Sequence, residues 1–398
     1  MPAGMTERPL IRLAPGADRR VKAGHPWAFS NEIAMTAAAR AIPPGSVVRL
    51  EGDDGVKHGA WHFSPHSLIA ARFLDPDPNA ACDAGWYRWK IGACLALRDR
   101  LFDAPFYRLV HAEADGLPGL VVDRYGDALA VQANTAGMDR ALPDILAALR
   151  ELIGPRIVVA RNDAAVRKLE GLEESVALLH GTDGTATVEE GGLSFPVDLL
   201  GGQKTGWFFD QRPNRALVAR LAKGRTVLDA FCHLGGFGLA AAQAGAAEVT
   251  LLDRSEHALD LAMQAARRAG FAERVTALKA EALEHLERMV ASGRRFEVVI
   301  TDPPAFAKTR KDIPAALKGY AKLARLAAQV TAPGGILFIA SCSHHVGPAE
   351  FADAVAWGVH RARRRAKILA SVGAGPDHPV HPALPESAYL KGQLLALD

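Results

Sequence analysis

Thr226-Val227-Leu228-Asp229-Ala230-Phe231-Cys232-His233-Leu234-Gly235-Gly236-Phe237-Gly238-Leu239-Ala240-Ala241-Ala242, then Glu248-Val249-Thr250-Leu251-Leu252-Asp253, decides the fold of this 398-residue chain. Val227 and Leu228 read as a short buried strand ending at Asp229. The Gly235-Gly236-Phe237-Gly238 turn lets backbone approach a ligand, because glycine has no Cβ to clash. Leu239 to Ala244 reads as a helix of small residues. Val249 to Leu252 is a second strand with an acid, Asp253, at its end. Strand, glycine turn, helix, strand, acid is the first half of a nucleotide-type α/β sheet.

The spacing is not the Gly-x-Gly-x-x-Gly dinucleotide pattern. A terminal carboxylate suits a ribose, whose two hydroxyls can both donate to it. The turn after Asp-Ala-Phe-Cys resembles the S-adenosylmethionine (SAM) loop of class I methyltransferases. A glycine-rich first turn in an unrelated α/β domain is the other reading of this stretch.

Composition sets the outer bounds. With 49% hydrophobic and 23% charged residues the chain reads as globular. Nothing approaches the ~18 apolar residues of a membrane span. The first residues, Met1 to Glu7, lack the basic start and apolar core of a signal peptide. Cys82, Cys94, Cys232 and Cys342 lack paired metal-ligand spacing, so no metal site is expected. A reduced, cytoplasmic setting fits, and there a free thiol can do chemistry. A net charge of +3 is too small to argue for nucleic acid by itself.

Up to about residue 78 the pattern is short strands and turns, with the aromatic loop Gly24-His25-Pro26-Trp27-Ala28-Phe29 following basic residues. That mix suits RNA docking, and equally suits a neutral β domain. Residues 79 to 188 read as a central segment of strands and helices, beginning with a helix from Ala80 to Leu101. From about residue 189 the alternation of the opening stretch takes over. It is led by the polar and aromatic loop Gly201 to Arg215, a candidate ligand loop. Ala349 to Ala362 reads as the final long helix.

Four acids fall just past strand ends: Asp229, Asp253, Glu281 and Asp302. In a parallel sheet those ends share the ligand edge. Asp253 suits the cofactor ribose, and Glu281 can accept from an adenine amino group. Asp302 lies nearest the methyl-transfer point. Helix capping accounts for any one of them, and less well for all four.

Asp302-Pro303-Pro304-Ala305-Phe306 resembles the Asp/Asn-Pro-Pro-aromatic loop of base methyltransferases, with Ala305 interposed. Cys342, between Ser341 and Ser343 at the end of the next strand, points to a different reaction. Carbon 5 of cytosine is too poor a nucleophile to attack a sulfonium methyl directly. A thiolate adding to carbon 6 makes carbon 5 enamine-like, which is covalent nucleophilic catalysis. An acid near ring nitrogen 3, here Asp302, stabilises the charge that develops. The plainer reading of a lone cysteine is a buried apolar side chain.

Gly202-Gln203-Lys204-Thr205-Gly206, Phe209-Asp210-Gln211-Arg212, Gly235-Gly236-Phe237, Asp302 to Lys308, Ser341-Cys342-Ser343, Asp377-His378-Pro379-Val380 and Tyr389-Leu390-Lys391-Gly392 together resemble the bacterial 23S ribosomal RNA cytosine-5 methyltransferase family. Gly24 to Ser30 resembles that family's N-terminal PUA domain. The resemblance spans nearly the whole chain. It implies a PUA domain over 1–78, a central α/β domain over 79–188, and a Rossmann-like class I SAM methyltransferase domain over 189–398. It implies Cys342 and Asp302 as catalytic. It gives Asp229, Gly235, Gly236, Asp253, Glu281, Asp302 and Asp210 to S-adenosyl-L-methionine. Lys204, Arg212, Pro303, Pro304, Phe306 and Lys308 go to the substrate. The implied partners are 23S rRNA or a large-subunit precursor and a second copy of the chain, with no membrane.

Other cytosine-5 RNA methyltransferases carry a second cysteine where this chain has Ala305, so product release here needs another base or water. Glu281 stands where the family usually has Asp, and Trp207-Phe208-Phe209 is more aromatic than usual. Three other readings remain: methylation of a purine amine or ring nitrogen, a non-catalytic RNA-binding assembly factor, and a small-molecule methyltransferase.

Overall fold

The structure, a computed structural model, describes residues 8–202 and 205–398. The start read for a signal peptide, and Gln203 with Lys204, lie outside them. The chain divides into two compact units. One comprises residues up to 186 with 198–206 and 377–385; the other comprises 187–197, 207–376 and 386–398. No helix among the described residues is long and apolar enough to cross a membrane.

The first unit holds two five-stranded sheets. One contains Leu10–Arg12, Ser46–Glu51, Lys57–Phe63, Ala71–Asp75 and Trp27–Ala28 in spatial order. Its alternating inward residues, among them Ile11, Val48, Leu50, Trp61 and Phe63, form a small core. The second sheet runs Ser175–His180, Ile157–Asn162, Ala128–Ala133, Leu120–Tyr125 and Phe106–His111. The helix Ala84–Leu101 packs on this sheet and starts four residues later than the sequence pattern suggests, because the Asp83 side chain caps it at Trp86 N. The outer strands Phe106–His111 and Ser175–His180 are not legible from periodicity.

These two sheets meet through buried polar contacts. Trp27 Nε1 donates to Glu113 Oε1 at 2.8 Å, and Arg72 bridges Glu113 and Glu170 at 2.9 and 3.0 Å. Trp27, in the aromatic loop read from sequence as suiting RNA docking or a neutral β domain equally, spends its indole N–H inside the protein.

The second unit is built on a seven-stranded sheet. Its strands are β1 (Thr226–Ala230), β2 (Glu248–Asp253), β3 (Val275–Lys279), β4 (Phe296–Thr301), β5 (Thr331–Ser341), β6 (Ala366–Val372) and β7 (Lys391–Leu397). The spatial order is β3-β2-β1-β4-β5-β7-β6. The first five strands are parallel, and β7 inserts antiparallel between β5 and β6. Helices cover the faces, as buried parallel strands require: α1 (Arg212–Ala219), α2 (Gly236–Gln243), α3 (Glu256–Arg268), α4 (Ala282–Ser292), α5 (Ile313–Val330) and α6 (Pro348–Arg361). The strand order reverses between β1 and β4, and a doubly wound sheet binds ligands beyond the strand ends at that point. Asp229, near the end of β1, and Asp302, directly after β4, flank it.

Candidate active site

The turn after β1 is held by strain and by packing. Phe231 and His233 adopt left-handed φ values of 62° and 50°, unusual for residues with a Cβ, and Gly235 follows at 73°. Asp253, closing β2, holds this turn in place. Its carboxylate accepts from His233 N at 2.9 Å and from Ser255 N at 2.9 Å. The glycines serve chiefly to bring the turn and α2 against the sheet. A Cβ on Gly235 would meet Leu251 and Ala262, and one on Gly238 would run into the Leu251 side chain.

Asp229 is 1% exposed and accepts from Gly238 N at 2.8 Å. Burial pushes its carboxyl up to about 8, and the charges of Asp302 and Asp253 push in the same direction. Three acids thus converge at the switch point. Because the folded-state value lies above the unfolded one, the stability Asp229 contributes is full below about pH 4 and is lost as pH rises through about 8. Buried His62 and His111, held down at about 3 and about 2, act oppositely, and their effect is complete by about pH 6.5. The ligand-free protein should therefore lose melting temperature between pH 6.5 and 8, and Asp229→Asn should flatten that slope. An equal slope in the variant would assign the effect elsewhere.

The loop before α1 contributes a further acid. Asp210 is 6% exposed; Tyr389 donates to its Oδ2 at 2.5 Å, while Oδ1 is buried with no hydrogen-bond partner among the described residues. The Tyr389 ring stacks on His344, at 4.9 Å between centroids, two residues past Cys342. Phe208 meets His233 edge-on at 5.2 Å, which brings this loop to the turn after β1. Arg212 points to Glu190, which it shares with Arg215 and Trp207. Burial pushes the Glu190 carboxyl up, but the Arg215 guanidinium and its hydrogen bonds outweigh that and hold it below its ordinary value.

Asp302 begins the loop after β4 and Cys342 follows β5, and the two loops meet. Cys342 Sγ lies 3.8 Å from the Pro303 carbonyl oxygen. The serines on either side of Cys342 are fully buried, not a polar surface. Ser341 Oγ donates to Tyr320 Oη at 2.8 Å, Tyr320 Oη and Ser343 Oγ are 2.7 Å apart, and Ala307 N donates to Ser343 Oγ at 3.3 Å. One buried hydroxyl cluster, centred on Tyr320 of α5, ties the cysteine turn to the proline loop. Phe306 stacks on the same Tyr320 at 4.6 Å, so its ring anchors the loop rather than standing free for a base. Pro303 is buried, whereas Pro304 and Lys308 are exposed. Glu281 is also exposed, at the start of α4, where its side chain makes no capping bond.

These acids fit a cationic sulfonium and ammonium ligand carrying a ribose. Asp210 has a buried oxygen to satisfy, and the Asp253 carboxylate has acceptor capacity left after its two backbone bonds. The family described as S-adenosylmethionine-dependent methyltransferase matches residues 169–394. This chain belongs to that family. A PUA-like domain matches residues 11–76. The methyltransferase is 37% identical over 391 residues to the ribosomal RNA large subunit methyltransferase I of Aeromonas hydrophila, covering 96% of this chain and 98% of the relative. It is 36% identical over 391 residues to the protein of that name from Pseudoalteromonas atlantica, with the same coverage. In fold it matches SMU.776, solved in complex with SAH, at a TM-score of 0.83 with 20% identity, covering 98% of this chain and 100% of the other.

S-adenosylmethionine is thus the methyl donor of this enzyme. Tyr320, Tyr389 and Lys391 are the residues of this region to which sequence reading gave no role. The last two lie in or beside β7, which inserts antiparallel between β5 and β6.

Proposed function

We propose that this enzyme methylates carbon 5 of a cytosine in large-subunit ribosomal RNA through a covalent adduct of Cys342. The observation that carries this reading is the meeting of two loops: a half-buried thiol beside the Pro303 carbonyl, one residue from Asp302. The RNA substrate follows from relatives about as long as this chain that bear the name ribosomal RNA large subunit methyltransferase I.

The Cys342 thiolate adds to carbon 6, and Asp302 stabilises charge at ring nitrogen 3. S-adenosylmethionine supplies the methyl, which carbon 5 accepts as the sulfonium leaves as a thioether. A base then takes the carbon 5 proton, and the carbon 6–sulfur bond breaks to return the thiolate. Asp253 holds the ribose, Asp210 and Asp229 face the cationic end, and Glu281 accepts from the adenine amine. Gly235 and Gly236 shape the turn. Lys204, Arg212, Pro304 and Lys308 are assigned to the RNA side. The PUA-like region supplies docking with surfaces other than the Trp27 indole edge.

Digesting rRNA from cells with and without the protein to nucleosides, and weighing the products, tests the reaction. Loss of 5-methylcytidine in the cells lacking it is expected, and a missing methylated purine would overturn the reading. Asp253→Ala should weaken S-adenosylmethionine binding, each charge-assisted hydrogen bond being worth ~1.5–3 kcal/mol, or roughly 10- to 150-fold in Kd. Calorimetry measures this directly. Unchanged affinity in a folded variant would remove Asp253 from the cofactor site.

A further inference from the structure

Lys391 is the first residue of β7, paired in register with Ser341, the residue before Cys342. It is 7% exposed, an uncommon position for a lysine. Its ammonium donates to Ser343 O at 2.5 Å and to Val346 O at 2.6 Å, two carbonyls of the turn that begins at Cys342. Among the described residues no carboxylate forms an ion pair with it. Two neutral carbonyls do not balance a buried positive charge, because a buried cation needs an anionic partner. A clamp on two carbonyls alone could be made with a neutral donor.

We propose that Lys391 is a positioning residue for the nucleophile: its ammonium clamps the 341–346 turn and stabilises the Cys342 thiolate. This rests on Cys342 acting as nucleophile. Burial lowers the Lys391 ammonium to about 8, and the neighbouring Cys342 and Glu350 pull it back up, so Cys342 is among the groups it feels most. Among the described residues the other titratable groups around the pair include Tyr320 from α5, His344 and His345 on the same turn, Tyr389 stacked on His344, Glu350 at the start of α6, and Asp302 beside Pro303. Glu350 is exposed and its carboxylate already accepts from Gly347 N at 2.9 Å. Tyr320 is neutral, since burial raises its phenol. Lys391 thus offers the thiol a cation from the strand that packs beside it.

The test needs neither RNA nor methyl donor. Alkylation of Cys342 by iodoacetamide in the full chain, followed by peptide mass spectrometry across pH, reads the thiolate fraction. The wild-type midpoint should lie below that of the same cysteine in the denatured protein. Lys391→Met should raise the midpoint by at least about one pH unit. Lys391→Arg, which keeps the charge, should stay near wild type. A folded Lys391→Met with an unmoved midpoint overturns the proposal. Should Lys391→Met fail to fold, the wild-type comparison decides: a midpoint at or above the denatured value overturns it equally. Nucleoside mass spectrometry of the RNA product is a separate readout. A wrong reaction assignment would change that product without moving the alkylation midpoints.

Discussion

Cys342→Ala should bring RNA methylation down to background while leaving S-adenosylmethionine and RNA binding within a few-fold of wild type. A group that acts only in the chemical step lowers kcat and leaves ground-state binding in place. The structure makes the substitution clean. The cysteine turn is anchored by the hydroxyls of Ser341 and Ser343, by Tyr320 and by Lys391, none of which needs the thiol. RNA carrying 5-fluorocytosine at the target should trap the wild-type protein. Fluorine cannot leave as a proton does, so the sulfur–carbon 6 bond persists and a shifted band should survive denaturing electrophoresis. The band should require the methyl donor and be absent with Cys342→Ala. Burial pushes the thiols of Cys82 and Cys94 up to about 11 and about 12, and that of Cys232 well above its ordinary value. None of those three competes as a nucleophile near neutral pH, so the adduct should map to Cys342 alone. Near-normal turnover by Cys342→Ala, or an adduct on another cysteine, would bring methylation of an amine or ring nitrogen to the front.

The parts of this molecule that sequence exposes are those where one local rule settles the structure. β4 and α5 fall at the residues their apolar periods and the Pro314 start suggest, because a buried parallel strand and a helix lying on it both advertise themselves. The position of Cys342, just past a strand end, was legible. What its flanking serines do was not, because a serine that buries its hydroxyl against a tyrosine 21 residues away reads like any polar surface residue. Trp27 and Phe306 each have a partner that a local reading does not supply, Glu113 and Tyr320. The glycines of the turn after β1 were seen, but their cause lies in Leu251 and Ala262, which come close only once β2 and α3 have packed. β7 was missed because it inserts antiparallel between strands distant in sequence, and with it went Lys391, whose importance depends wholly on what it pairs with.

Asp302→Asn is expected to be the second most damaging change at this site, and it separates the steps of the reaction. The amide keeps the volume that β4 and Pro303 enclose, and the backbone N–H of this residue still faces the Ala230 carbonyl at 3.5 Å. It cannot exchange a proton with ring nitrogen 3, so kcat should fall by roughly 10²- to 10⁴-fold, the usual worth of a positioned acid or base. Affinity for the methyl donor should change only a few-fold, because Asp229 and Asp253 remain. The 5-fluorocytosine adduct tells where the loss arises. If Asp302 stabilises the ring as sulfur adds, adduct formation should slow in step with turnover, even though Cys342 is intact. If the adduct forms at the wild-type rate while turnover collapses, Asp302 acts after addition, as the base that removes the carbon 5 proton. That outcome would move the residue from the first step of the proposed mechanism to the last, and would supply the release function for which Ala305 offers no thiol.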